Sequence, residues 1–158
     1  MPSPEGTSVT FRRAPASLRK APIVKFARAL QRDVARGRAF DTLITGDTEL
    51  RRLNRDFRGK DYATDVLSFP AAETGFLGDV AISLGRARAQ AREFGHPVEQ
   101  EVQILMLHGV LHLLGHDHET DSGAMARAEK RWRSKLGLPN GLIERAVIKR
   151  VVIKQVSS

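Results

Sequence analysis

The spacing of apolar residues divides the chain into alternating helical and extended segments. Ile23, Phe26, Ala27, Leu30 and Val34 recur at helical intervals after Ser17, and Gly37 supplies a stop, which predicts a helix across 18–37. Short apolar runs at 9–13, 39–46, 66–70 and 79–84 read as strands, the third closed by Pro70. Between the second and third, 49–57 reads as a helix capped by Asp47 or Thr48, and 58–65 as a polar loop. Gly75 and Gly78 separate the last two strands, which are expected to pair as a hairpin. A basic helix follows and ends at Gly95. Pro97 opens 98–115, the most apolar helix of the chain, and a final helix is capped by Asp121 or Ser122 and ended by Gly137. The period of 142–158 assigns no one element: an added strand, a helix or a partly mobile segment are all open.

Strands grouped early and helices late predict an α+β fold, in which about four strands form a small sheet packed against helices. The 98–115 helix is apolar on all sides, so it should be central and lie on the sheet. The expected organisation is a flexible tail at 1–8, one domain over 9–141, and a C-terminal extension at 142–158.

Composition narrows the chemistry. The 158 residues can bury a core without disulfides, and there is no cysteine, so a transition metal would have to be held by His, Asp or Glu. No apolar run approaches the roughly 18 residues of a membrane span, and 1–13 lacks the apolar core of a secretory signal. A cytoplasmic location is therefore expected. A net charge of +8 favours polyanionic partners, RNA among them, without establishing one.

The chemistry concentrates in MLHGVLHLLGHDHE, 106–119, which holds four of the five histidines. His108 and His112 are one helical turn apart and share a face, so their imidazoles can meet at one ion. Gly115 can fold the chain back sharply, and His118 can then return to the same point. Three histidines leave a fourth tetrahedral position on zinc open, as in catalytic sites, where bound water reaches a pKa near about 7. His116 has no matching geometry and reads as a rim group or one behind a ligand. Asp117 either orients a ligand imidazole or caps the turn.

The same spacing occurs in zinc metalloproteases, where the residue after the first histidine is a glutamate that acts as general base. Here it is Gly109, expected to leave room beside the metal. A ribosome-associated RNA-binding module with a purely structural metal is a second alternative.

Two further stretches, LNRDFRGKDYATDVLSFP at 53–70 and LGDVAISL at 77–84, together with HGVLHLLGHDH, resemble the YbeY family of bacterial metal-dependent endoribonucleases over about 43–137. Phe57 and His116 stand where that family commonly has tyrosine. The resemblance implies a mixed sheet and one zinc ion held by His108, His112 and His118, with Arg58 as the arginine of the cleft. It also implies action on single-stranded ribosomal RNA (16S rRNA 3′ end maturation and ribosome quality control), with small-subunit ribosomal proteins or an associated GTPase as partners. Residue chemistry agrees: the Arg58 guanidinium can clamp a phosphate bidentately, and Lys60 can assist in the same loop. Asp61, Thr64 and Asp65 are expected to organise that loop through local backbone hydrogen bonds. Asp79 reads equally as a cleft or a turn residue. No carboxylate is an obvious general base, so water or the RNA's own 2′-hydroxyl remains open as the attacking group.

Overall fold

The computed structural model of the protein describes residues 6–72, 75–116 and 123–139. Four strands, β1 (Ser8–Phe11), β2 (Ala39–Thr45), β3 (Val66–Pro70) and β4 (Phe76–Ser83), form one sheet in the order β1-β2-β4-β3. The β1–β2 and β2–β4 pairs are parallel and β3–β4 is antiparallel, which makes the sheet mixed and bears out the hairpin. Among the described residues the α-helices are α1 (Lys20–Ala29), α2 (Asp47–Arg58), α3 (Leu84–Phe94), α4 (Val98–Leu113) and α5 (Ala124–Leu136). This is the expected α+β architecture.

Side-chain alternation sends Val80 and Ile82 of β4 to one face and Ala81 to the other. On the first face they join α1 and α4 in the main core with Phe40, Ile44, Leu105 and Leu107. On the second, Ala81 and Leu67 meet Leu50 and Leu53 of α2, the helix that covers that side. Met125 and Ala128 carry α5 into the main core. The α4 helix buries Val102, Ile104, Leu105, Met106, Leu107, Val110 and Leu111 within its length, so it is central as its all-round apolarity predicts.

Gly109 is where α4 comes closest to the sheet. A Cβ there would stand 2.7 Å from Val80 Cγ1 and 3.3 Å from Ser68 Oγ, and Ser68 Oγ donates to the Gly109 carbonyl at 2.9 Å. Its missing side chain therefore admits the sheet and opens no space beside a metal, contrary to the expectation above.

Several local boundaries differ from the sequence reading. The predicted first helix changes to a π-helical turn at Leu30–Val34, with Ala35 N–H donating to Leu30 O, before Gly37 takes φ 87°. The N-cap of α2 is Gly46, with no side-chain cap bond. Asp47 instead accepts from Ser83 Oγ at 2.9 Å and Arg86 Nε at 3.4 Å, tying α2 to the start of α3. β4 begins three residues earlier than its alternating stretch suggests, because Phe76 pairs with Ala39 of β2 and Gly78 with Pro70 of β3, across a register shift in the β2–β4 pair. The N-cap of α5 is Gly123, at φ 86°, in place of the expected Asp121 or Ser122, which lie outside the described residues together with 142–158.

Candidate metal and RNA site

The C-terminal turn of α4 aims two histidines at one point. His108 is buried and His112 half-buried, and their Nε2 atoms lie 3.2 Å apart with the rings edge to face. Beyond them the helix closes with a paired turn: Gly115 N–H donates to His112 O and His116 N–H to Leu111 O, with Gly115 at φ 94°. That arrangement is the left-handed glycine cap the sequence implies, and it ends α4 within three residues of His112. His116 contributes its backbone to this cap, and no side-chain hydrogen bond of it is seen among the described residues. His118 and Asp117 lie outside the described residues.

Behind His108 stands a residue that the sequence reading missed. Glu129 of α5 is buried, and its Oε2 lies 2.7 Å from His108 Nδ1. A carboxylate there takes the Nδ1 proton as its hydrogen bond and leaves the Nε2 lone pair facing His112. The signal was present: Met125, Ala128 and Glu129 all fall on the buried face of α5, and a glutamate among apolar positions needs a partner.

These donors fit a zinc ion. Two imidazole nitrogens on one tetrahedral zinc, each at about 2.0–2.1 Å, are separated by about 3.3 Å, close to the spacing of the two Nε2 atoms here. The carboxylate on Nδ1 is the usual partner of a zinc-bound imidazole. Among the described residues no third potential ligand joins the pair.

Arg58 is the last residue of α2 and is exposed, so it lies on a helix end and not within the polar loop. It makes no ion pair among the described residues, whereas Arg51 pairs with Asp61, Arg52 with Glu49 and Asp56, and Arg55 with Asp56. Gly59 turns the chain at φ 68°, and Lys60 follows, exposed, its N–H donating to Asn54 O. The loop is held by the buried Asn54, whose Nδ2 donates to Tyr62 O at 3.0 Å, and by the Arg51–Asp61 pair. Asp65 accepts from Gln90 Nε2 of α3, so the expected local backbone bonding of the loop aspartates is replaced by longer-range partners. Phe57 (68% exposed) and Tyr62 (54%) are the exposed large hydrophobic residues of the described structure, and they bracket Arg58 and Lys60 along the chain.

Arg58 and the histidines are on helices that cover opposite faces of the sheet, and no hydrogen bond joins them. The link between them is the edge strand β3. Phe57 stands edge-on to Phe69, with ring centroids 5.6 Å apart, and the neighbouring Ser68 holds the carbonyl beside His108.

The α2 side of the sheet also carries a groove of about 500 Å³ walled by Leu43, Leu53, Phe57 and Phe69. Asp79 faces it, directly opposite Asp41 in the β2–β4 register. Desolvation by the walls, and secondarily repulsion from Asp41, raise the Asp79 carboxyl above the ordinary aspartate range. Asp79 is thus a groove residue, on the face away from the histidines.

The protein is thus a mixed-sheet α+β domain whose central helix presents a histidine pair backed by a buried carboxylate. Residues 17–137 match the family model described as endoribonuclease YbeY. An endoribonuclease YbeY of Solibacter usitatus is 77% identical over 145 residues, covering 92% of this chain and 98% of the relative. That of Koribacter versatilis is 58% identical over 103 residues, covering 65% of this chain and 68% of the relative. The solution structure of TM1509 from Thermotoga maritima superposes with a TM-score of 0.55 at 27% identity, covering 80% of this chain and 93% of that one. The chain belongs to the endoribonuclease YbeY family. No helix among the described residues is long and apolar enough to cross a membrane.

Proposed function

We propose that this protein is a zinc-dependent endoribonuclease that cuts single-stranded RNA in ribosomal RNA processing, including maturation of the 16S rRNA 3′ end, in the cytoplasm. The catalytic unit is one domain that takes in β1 from Ser8, one residue before the expected 9–141 boundary, because Ser8 pairs with Asp41 of β2. The observation that carries the reading is the pair of Nε2 atoms 3.2 Å apart with Glu129 behind His108. His108 and His112 would hold the ion, with His118 brought back by the Gly115 turn as the third ligand.

When bound, zinc supplies Lewis-acid stabilisation of charge on the scissile phosphate. The chain's own residues supply the rest. Glu129 holds the His108 proton on Nδ1 and fixes the ring that presents Nε2. Arg58, without a carboxylate partner among the described residues, offers a guanidinium to the phosphate, and Lys60 adds a second cation. Exposed Phe57 and Tyr62 beside these cations suit unstacked bases, which favours a single strand over a duplex. Gly109 argues against peptide hydrolysis: a glutamate base at that position would be driven into Val80.

Cleavage of a defined single-stranded ribosomal RNA fragment by wild-type protein and His112→Ala, with zinc content measured and product ends mapped, tests the proposal. Loss of zinc and cleavage together supports it, and cleavage by a zinc-free His112→Ala protein sinks it. A 2′,3′-cyclic phosphate identifies the RNA 2′-hydroxyl as nucleophile, and a 5′-phosphate identifies water.

A further inference from the structure

The helix that supports His108 from behind has a second, outward face. The α5 sequence AMARAEKRWRSKL carries five basic residues against one acidic residue, and that acid, Glu129, is buried on His108. Arg127, Lys130, Arg131 and Lys135 are all exposed. At 1.5 Å per residue, Arg127, Arg131 and Lys135 follow one line along the helix at intervals of about 6 Å. Trp132 lies beside this line, half-buried, its inner edge packed against the main core. The Lys135 ammonium stands 5.0 Å and the Arg131 guanidinium 5.7 Å from its ring centroid.

The arginines of α2 other than Arg58 are matched to carboxylates, whereas Lys130, Arg131 and Lys135 have no carboxylate partner among the described residues. Like charges crowded at helical spacing repel one another. The indole partly offsets that repulsion by attracting both cations to its ring. A polyanion passing along the helix would offset it fully. A row of cations with an aromatic ring set among them is the chemistry of single-strand backbone binding.

We propose that the outer face of α5, centred on Lys130, Arg131, Trp132 and Lys135, is a docking rail for the phosphodiester backbone of single-stranded RNA. The occupant rests on the ribonuclease reading above. The rail lies on the same helix as Glu129, and Trp132 is one turn beyond it, so a strand held there is delivered to the histidine end of α4 by the helix that also orients His108. Arg58 and Lys60 then engage the strand from α2.

The test uses full-length, zinc-loaded protein and a short 2′-O-methyl oligouridine, which lacks the 2′-hydroxyl needed for internal attack. Binding is measured over a series of salt concentrations for wild type, for Lys130→Ala/Arg131→Ala/Lys135→Ala, and for a charge-matched control on α1, Lys20→Ala/Lys25→Ala/Arg28→Ala. Each phosphate neutralised on a single strand contributes about 0.7 to the slope of log affinity against log salt, so the α5 variant should lose about 2 from that slope and roughly tenfold or more in affinity at low salt. The α1 control should stay near wild type, and the fluorescence of the chain's one tryptophan should change when the strand is added to wild type. Equal losses in the two variants, or an unchanged slope in a folded α5 variant, would overturn the rail. The enzymatic reading fails separately: a protein that binds the strand through α5 yet never cuts RNA keeps the rail and loses the nuclease.

Discussion

Glu129 Oε2 lies 2.7 Å from His108 Nδ1, joining two helices through one buried hydrogen bond between residues 21 positions apart in the chain. The contact decides which nitrogen of His108 carries the proton and which is offered to a metal. Removing such a partner typically costs 10–100-fold in metal affinity. Glu129→Gln should therefore bind zinc roughly tenfold more weakly while remaining folded, since its amide oxygen can still accept from Nδ1. Glu129→Ala should in addition lose about 1–3 kcal/mol of stability by stranding a buried imidazole. Competition against a chelator and urea unfolding measure the two effects, and wild-type zinc affinity in Glu129→Gln would remove the positioning role.

Gly109 offers a sharper packing test. Gly109→Ala places a methyl group 2.7 Å from Val80 Cγ1, and the expected cost is about 1–3 kcal/mol. In the Val80→Ala background the same change should be much milder, giving a coupling of about 1 kcal/mol or more in a double-mutant cycle. Strict additivity would show that α4 shifts freely on the sheet.

Arg58→Ala should leave the thermal midpoint almost unchanged, because the side chain is exposed and has no ion-pair partner among the described residues. Cleavage should fall by about 100-fold if the guanidinium stabilises charge developing on the phosphate. Arg58→Lys should recover only part of that, because an ammonium lacks the bidentate fork. Normal turnover of a single-stranded substrate by Arg58→Ala would exclude the clamp.

Asp79 sets a pH dependence of stability. Its native carboxyl titrates above the ordinary value of 3.8, so the native state holds a proton that the unfolded chain has released, and stability falls as pH rises through the shifted value. Asp79→Asn should be the more stable protein at neutral pH, by no more than about 0.5 kcal/mol because solvent screens the exposed carboxylate. The gap should close as the pH is lowered toward 3.8. Urea midpoints for both proteins across that range measure it, and a gap that widens on acidification would contradict the assigned cause.

Much of this site could be read along the chain because its geometry is local. His108 and His112 share a helical face by spacing alone, and Gly115 closes that helix in the left-handed conformation that glycine adopts without steric cost. The apolar run of α4, the β3–β4 hairpin and the polar loop before β3 are likewise short-range patterns. Local reading failed wherever a second element supplied the partner. Asp47 looked like a helix cap because capping is a neighbour effect, but Ser83 and Arg86 from across the fold claim its carboxylate. Gly109 looked like a missing base beside a metal until Val80 occupied the space its side chain would need.

By itself, then, the sequence determined the elements, the two converging histidines, the turn after them, and the family to which the chain belongs. Those follow from helical period, backbone conformational preference and motif order, each a property of residues close together in the chain. The tertiary structure alone decided that Glu129 stands behind His108, that Gly109 seats α4 on Val80, and that Phe57, next to Arg58, packs on Phe69 of the edge strand. Burial is the physical reason. A buried carboxylate must find a hydrogen-bond partner and a packed helix must fit its sheet, and which residue meets each need depends on how distant segments come together.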